Sequence, residues 1–176
     1  MSGRGELQQR RPLQAGNGGL YTAEERRRRD ASGWTLVQGV LAPVQFLVFL
    51  ISLALVLRYL VTGEGLTAAT WSIVIKTLVL YTIMVTGSIW EKEVFGCWLF
   101  ARPFFWEDVV SMLVLALHTA YLGAVIWGWL DARGQMLLAL TAYATYVVNA
   151  AQFVLKLRAA RLQSAGAGLG AAEQAA

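Results

Sequence analysis

Long apolar runs broken by short polar stretches organise this chain, and four of the runs are long enough to cross a bilayer. They cover about 36–60, 68–90, 106–130 and 135–157, each with roughly 20 or more largely apolar residues, against a hydrocarbon thickness of ~30 Å. The runs are continuous rather than alternating, which argues for helices and against a water-filled β-barrel. The short outer connections favour antiparallel neighbours, so the pattern predicts an all-α fold, an integral membrane four-helix bundle. This four-span membrane domain occupies 21–162. Residues 1–20 are polar and Gly-rich, and 163–176 are mostly Ala, Gly and Gln; both read as disordered tails. Thr22 and Glu25 have capping-box spacing, predicting a short helix over 22–30. Pro43 is a candidate kink one turn or so inside the first span. There is no internal repeat and no inverted-repeat pair of the transporter kind.

Composition and charge turn this pattern into a topology. A 57% hydrophobic content in 176 residues exceeds that of an ordinary soluble domain. The first span is too long, and begins too far in, for a cleaved signal peptide. A lone cysteine, Cys97, excludes an internal disulfide and offers no metal-ligand pattern. The net charge of +4 is unevenly spread rather than gathered into a nucleic-acid-binding face. Arginines at 4, 10, 11 and 26–29 precede the first span, Lys92 and Arg102 lie between the second and third, and Lys156, Arg158 and Arg161 follow the fourth. The opposite connections hold only Arg58 and Arg133. The positive-inside rule then puts both termini and the 91–106 connection in the cytoplasm. The arginines at 26–29 serve orientation and contact with anionic lipid better than they serve a specific partner.

Candidate chemistry gathers at the same end. Four of the eleven carboxylates (Glu91, Glu93, Glu107 and Asp108) flank the apolar 94–105 connection, and carboxylates beside hydrocarbon are costly enough to imply a use. Depth follows from topology: Gln38 and Gln45, Ser88 and Glu91, Glu107, Asp108 and Ser111, and Asn149 and Gln152 all fall in the cytoplasmic half. At ~100° per residue, Thr77, Tyr81, Met84, Ser88 and Glu91 share a stripe, as do Thr145, Asn149, Gln152 and Lys156, then Glu107, Ser111 and His118, then Gln38, Gln45 and Ser52. Interhelical hydrogen bonding accounts for Gln45, Asn149 and Ser52. It accounts poorly for the acids, which Lys92 and Arg102 cannot all neutralise, so a polar pocket is expected. The tryptophans at 34, 71, 90, 106, 127 and 129 fit interfacial belts. The 94–105 connection is too short to cross and too apolar for water; it reads either as a lid for an apolar substrate or as a turn resting on the membrane. Lys76 lies within snorkelling distance of the outer edge. His118, the sole histidine, is a metal ligand, a proton-transfer group or a neutral hydrogen-bonded imidazole, and a single histidine excludes bis-histidine haem.

The segments Trp34-Thr35-Leu36-Val37-Gln38-Gly39, Gly87-Ser88-Ile89-Trp90-Glu91-Lys92, Phe104-Phe105-Trp106-Glu107-Asp108 and Leu117-His118-Thr119-Ala120-Tyr121 resemble the 3-vinyl bacteriochlorophyllide hydratases of phototrophic bacteria, over roughly 20–162. The resemblance implies lyase chemistry in bacteriochlorophyll a synthesis: water added to the C3 vinyl group of a chlorophyllide to give a 1-hydroxyethyl group. It implies a bacterial inner or intracytoplasmic membrane, a tetrapyrrole and the bilayer as partners, and room for contact with other pigment-synthesis enzymes. It implies no separate cofactor, magnesium arriving inside the substrate. The family often has an apolar residue at 93 and a basic one at 97, so Glu93 and Cys97 receive no role.

Such a reaction needs a general acid, a base and a dry pocket, and carboxylates at a membrane edge can divide into a protonated and an ionised partner. The candidates are Glu91, Glu107, Asp108 and His118 for catalysis. Gln38, Gln45, Tyr81, Ser88, Trp106, Ser111, Asn149 and Gln152 are candidates for substrate binding, with Asn149 and Gln152 positioning water. Lys92 or Arg102 would pair with the pigment's propionate. Glu107 and His118 stand ~16 Å apart along a helix, so His118 as axial ligand to the substrate's magnesium requires a steeply tilted pigment. The rival reading is a pigment carrier or assembly subunit that binds without reacting.

Overall fold

The computed structural model describes residues 20–173, with side chains to 162, and every regular element among them is helical. The expected N-terminal tail lies almost wholly outside the described residues. Thr22 opens α1 (Ala23–Ala31) with the expected capping box: its hydroxyl takes the Glu25 N–H, and the Glu25 carboxylate takes the Thr22 N–H. Ser32 then ends α1 and caps α2 (Gly33–Thr62) by accepting the Trp34 N–H at 3.2 Å, so the chain turns at one residue. α2 stays helical through Pro43, which removes the N–H that would have met the Gly39 carbonyl.

α3 spans Leu66–Phe95, a single 3₁₀ turn covers Arg102–Phe104, and α4 is Phe105–Trp127. α4 stops short of the expected residue 130 because Gly128 takes φ +65°, a left-handed conformation that closes the helix. α5 begins behind Asp131, whose carboxylate accepts the Gly134 N–H at 2.8 Å, and runs Ala132–Glu173. It thus continues well into the stretch read as a disordered tail, whose alanines have the best intrinsic helix propensity. Residues 174–176 lie outside the described residues. Among the described residues, four helices are long and apolar enough to cross a membrane.

Two antiparallel hairpins, α2–α3 and α4–α5, make the closest contacts, and α5 against α2 and α3 against α4 join them more sparingly. At the end away from α1 they meet in a packed core of Phe49, Val56, Ala69, Ile73, Tyr121, Met136, Ala139 and Tyr143. Small residues there let the backbones approach. Towards α1 the hairpins separate. The outward faces are apolar as well, with Leu36, Leu47, Val61, Trp71, Val85 and Val154 exposed.

Candidate active site

The separated hairpins enclose a cavity of about 2250 Å³. Ligand pockets of roughly 300–1,000 Å³ suffice for drug-sized molecules, so this space suits a much larger one. α1 roofs it with Arg26 and Arg29, and Tyr21 just before it adds its ring; α2 supplies Gln38, Gly39, Pro43 and Gln45, and α3 supplies Leu80, Met84, Ser88 and Glu91. α4 adds Asp108, Ser111 and Val114, and α5 adds Tyr146, Asn149 and Arg161.

Two buried carboxyls face one another on its wall. Glu91 and Asp108 come within hydrogen-bonding reach of each other across the α3–α4 gap. The connection between the helices holds both: the Phe100 N–H donates to Asp108 at 2.8 Å, and the Ala101 N–H donates to Glu91 at 3.1 Å. To aim consecutive amides this way, Phe100 adopts φ +61°, a conformation uncommon for a bulky side chain. Such paired N–H groups form an anion-binding nest. The apolar connection is therefore a backbone clamp on the acids, beyond either the lid or the resting turn read from the sequence. Its amides carry no signal in side-chain pattern.

The remaining predicted residues divide. Asn149 donates to Ser111 at 2.6 Å, both on the cavity wall; Gln38 lines it while donating to Thr86 at 2.7 Å, and Ser88 lines it while donating to the Val85 carbonyl. Gln45 lines it with neither amide atom bonded. Glu107, one residue and ~100° from Asp108, turns instead towards α5 and pairs with Lys156 at 2.5 Å. Lys156 is the neutralising charge that the acid count had overlooked. Glu93 accepts from Ser32 at 2.7 Å, which ties the α1–α2 turn to α3.

Lys92, Arg102, Trp106, Tyr81 and Gln152 are not among the lining residues. Lys92 donates to the Gly96 carbonyl at the end of α3, Tyr81 bonds Thr119, and Arg102 and Trp106 are exposed. The cations at the mouth are instead Arg26 and Arg161, neither in an ion pair among the described residues; Arg29 is matched by Asp30 at 2.7 Å. His118 lies fully buried one turn behind Val114, its Nδ1 donating to the Val114 carbonyl at 2.8 Å while Nε2 has no partner. Lys76 does not snorkel: it is fully buried, with Nζ 4.1 Å from the centre of the Tyr146 ring. Burial first and the Glu91 carboxyl second push the Cys97 thiol up, which disfavours its thiolate. Among the described residues no cluster of His, Cys, Asp or Glu is placed to hold a metal ion.

Fold and site together define an acid-bearing bundle of four long helices built around one large, mostly apolar-lined cavity. Residues 21–159 match the model of the family described as 2-vinyl bacteriochlorophyllide hydratase. The chain is 68% identical over 146 residues to the 2-vinyl bacteriochlorophyllide hydratase of Rhodobacter capsulatus, covering 83% of this chain and 85% of that one. It is 69% identical over 144 residues to the protein of the same name from Cereibacter sphaeroides, covering 81% and 89%. The chain belongs to this family, and a hydratase is a hydro-lyase by class. No solved structure matches the chain.

Proposed function

We propose that this protein, seated in a bilayer with both termini on the cytoplasmic side, adds water to the C3 vinyl group of a chlorophyllide. The observation that carries the reading is the Glu91–Asp108 pair, held by consecutive backbone amides on the wall of a cavity large enough for a macrocycle. Two carboxyls this close hold one proton between them more easily than two charges. The helix ends divide the roles: Asp108 sits in the first turn of α4, where the dipole favours an anion, while Glu91 sits near the end of α3, where it does not.

Glu91 then gives its proton to the terminal vinyl carbon, turning CH₂ into CH₃ and leaving a cation delocalised over the macrocycle. Water attacks the inner carbon and forms the C–O bond while Asp108 takes the released proton. The pair ends each turnover with the same single proton, moved from one carboxyl to the other, and no electrons are exchanged with the protein. Asn149 and Ser111 lie along the same wall to hold the water. The pigment's carboxylate goes to Arg26 or Arg161 at the mouth, near water, rather than to Lys92 or Arg102. Magnesium enters as part of the substrate.

The test uses membranes carrying the protein, given 3-vinyl chlorophyllide in doubly labelled water. The expected product carries ¹⁸O on the hydroxyethyl carbon and one deuterium in its methyl group. A folded protein that binds the pigment and incorporates neither label overturns the reading.

A further inference from the structure

Two opposite walls of the cavity differ. On the α3–α4 side the lining residues Leu80, Glu91, Asp108, Ser111 and Val114 are all buried, with Phe104 of the connection buried beside them. On the α2–α5 side lining residues are exposed: Gly39, Ala42 and Phe46 along α2, and Val147, Ala151 and Val154 along α5. A residue that both lines a cavity and faces outward marks an opening, so a slit runs between these two helices. Gly39 and Phe46, like Val147 and Val154, are seven residues apart, about 10 Å of helix rise. A Cβ added at Gly39 would meet nothing within 4 Å, so that edge of the slit is open space.

The slit lies at the depth of hydrocarbon. Residues 39–46 are about 8–18 Å along α2 from Trp34, whose ring suits the interface. Both edges belong to helices long and apolar enough to cross a membrane. The mouth under α1 is the reverse, ringed by Arg26, Arg29, Asp30 and Arg161.

The order around the bundle is α2, α3, α4, α5, since each touches the next and α5 returns to α2. The slit therefore faces Glu91 and Asp108 across the cavity. Packed helices such as α2 and α3 lie about 8–10 Å apart, less than the width of a chlorin macrocycle. With its vinyl group at the acids, the macrocycle reaches into the slit with its far side, and that side bears the propionate. Arg161 is two turns beyond Val154 on the same face of α5, where the slit meets the mouth. A free carboxylate there pairs with Arg161, whereas a hydrocarbon chain esterified to it runs on through the slit into lipid.

We propose that the slit is a tail channel, through which the site accepts pigments whose propionate carries a long alkyl or isoprenoid ester as well as the free acids. The macrocycle sits inside and the chain lies in the bilayer, a placement that rests on the hydratase reading for the position of the vinyl group. The chain stays in hydrocarbon throughout, so its length adds no transfer cost to binding. Small side chains at Ala42 and Ala151 keep the passage open.

The experiment gives nanodiscs carrying the full chain three forms of 3-vinyl chlorophyllide: the free acid, its methyl ester and a long-chain isoprenoid ester. Hydration is followed with labelled water, and binding by the circular dichroism that the protein induces in the macrocycle. Comparing the two esters cancels the loss of the carboxylate. Wild type should bind and hydrate them within about threefold of each other, because the chain's surroundings do not change. Ala42→Trp and Ala151→Trp fill the slit and should weaken the long-chain ester more than about tenfold relative to the methyl ester. Val148→Trp, exposed on α5 but outside the lining, should leave that ratio unchanged. A long-chain ester that neither binds nor reacts in wild type where the methyl ester does both overturns the proposal, whether or not a slit variant folds. Equal weakening of both esters by the slit variants overturns it too, as does a change of oligomeric state in their place, which would make the slit a seam between copies. Binding needs no turnover, so a protein that binds both esters with this slit dependence yet hydrates no form would count against the hydratase reading alone.

Discussion

Glu91, Glu107 and Asp108 have the same functional group, yet the structure gives them different surroundings. Asp108 and Glu91 meet each other and a backbone nest at the cavity wall, whereas Glu107 meets Lys156. Glu91→Gln and Asp108→Asn are therefore expected to lower kcat by about 10²–10⁴, the usual range for a general acid or base, with pigment affinity within a few-fold of wild type. Glu107→Gln should instead lower thermal stability by on the order of 1–3 kcal/mol by stranding a partly buried lysine, with much smaller loss of kcat. Equal turnover losses from Glu107→Gln and Asp108→Asn, at equal stability, would contradict this division. Phe100 offers a second contrast. Phe100→Gly keeps the left-handed backbone and should stay within about threefold of wild-type turnover, while the β-branched Phe100→Val, disfavoured at positive φ, should fall more than about tenfold. If valine is as active as glycine, the strained amide nest is not what aligns the acids.

The helices divide between holding the bundle together and opening it. At the packed end, Ala139 is completely buried beside the residues that join the hairpins. Ala139→Leu should overfill that seam and lower stability by about 1–3 kcal/mol, seen as a drop in thermal midpoint. At the open end α1 lies over the cavity, tied down by Ser32 to Glu93, by Arg28 to the Val94 carbonyl at 3.3 Å, and by Tyr21 stacked on Phe95. Thr22→Ala removes one half of its capping box and should cost α1 about 1 kcal/mol. Hydrogen exchange is expected to speed up in 23–31 and to stay unchanged in the four long helices; uniform acceleration would mean that α1 is no separate roof. The periodic stripes had placed Glu91 and Ser88, Ser111, Asn149, Gln38 and Gln45 on inward faces, and all six line the cavity. The same stripes held Glu107, His118, Tyr81 and Gln152, with Ser52, Thr77, Thr145 and Lys156, and none of these is among the lining residues. A stripe specifies a direction on one helix, and whether that direction meets space or a neighbour depends on how far the hairpins separate.

The molecule as a whole is apolar outside and hollow at one end, a distribution suited to lipid around it and pigment within it. Its charge bias predicts a definite orientation. In a Cys97→Ser background, Arg158→Cys should react with a membrane-impermeant maleimide only in inverted vesicles, and Glu64→Cys only in right-side-out ones. The opposite labelling pattern would reverse the topology and place the cavity mouth on the other face.

Length, hydropathy and charge along the chain were enough to specify four long helices, because a continuous apolar run of that length has few other ways to satisfy its backbone. They also placed the polar groups at one end, since depth in a bundle is nearly linear in sequence position. What only the packing of the helices decided is which acids become partners. Glu107 and Asp108 are adjacent in sequence but ~100° apart around the helix; one turns to Lys156 and the other to Glu91. The clamp of Phe100 and Ala101 amides, the arginines at the mouth and the buried Lys76 likewise depend on contacts between distant elements and on a single backbone angle. The acids between Trp90 and Asp108 can be found by reading along the chain, but the pair among them exists only once two helices and their connection close around it.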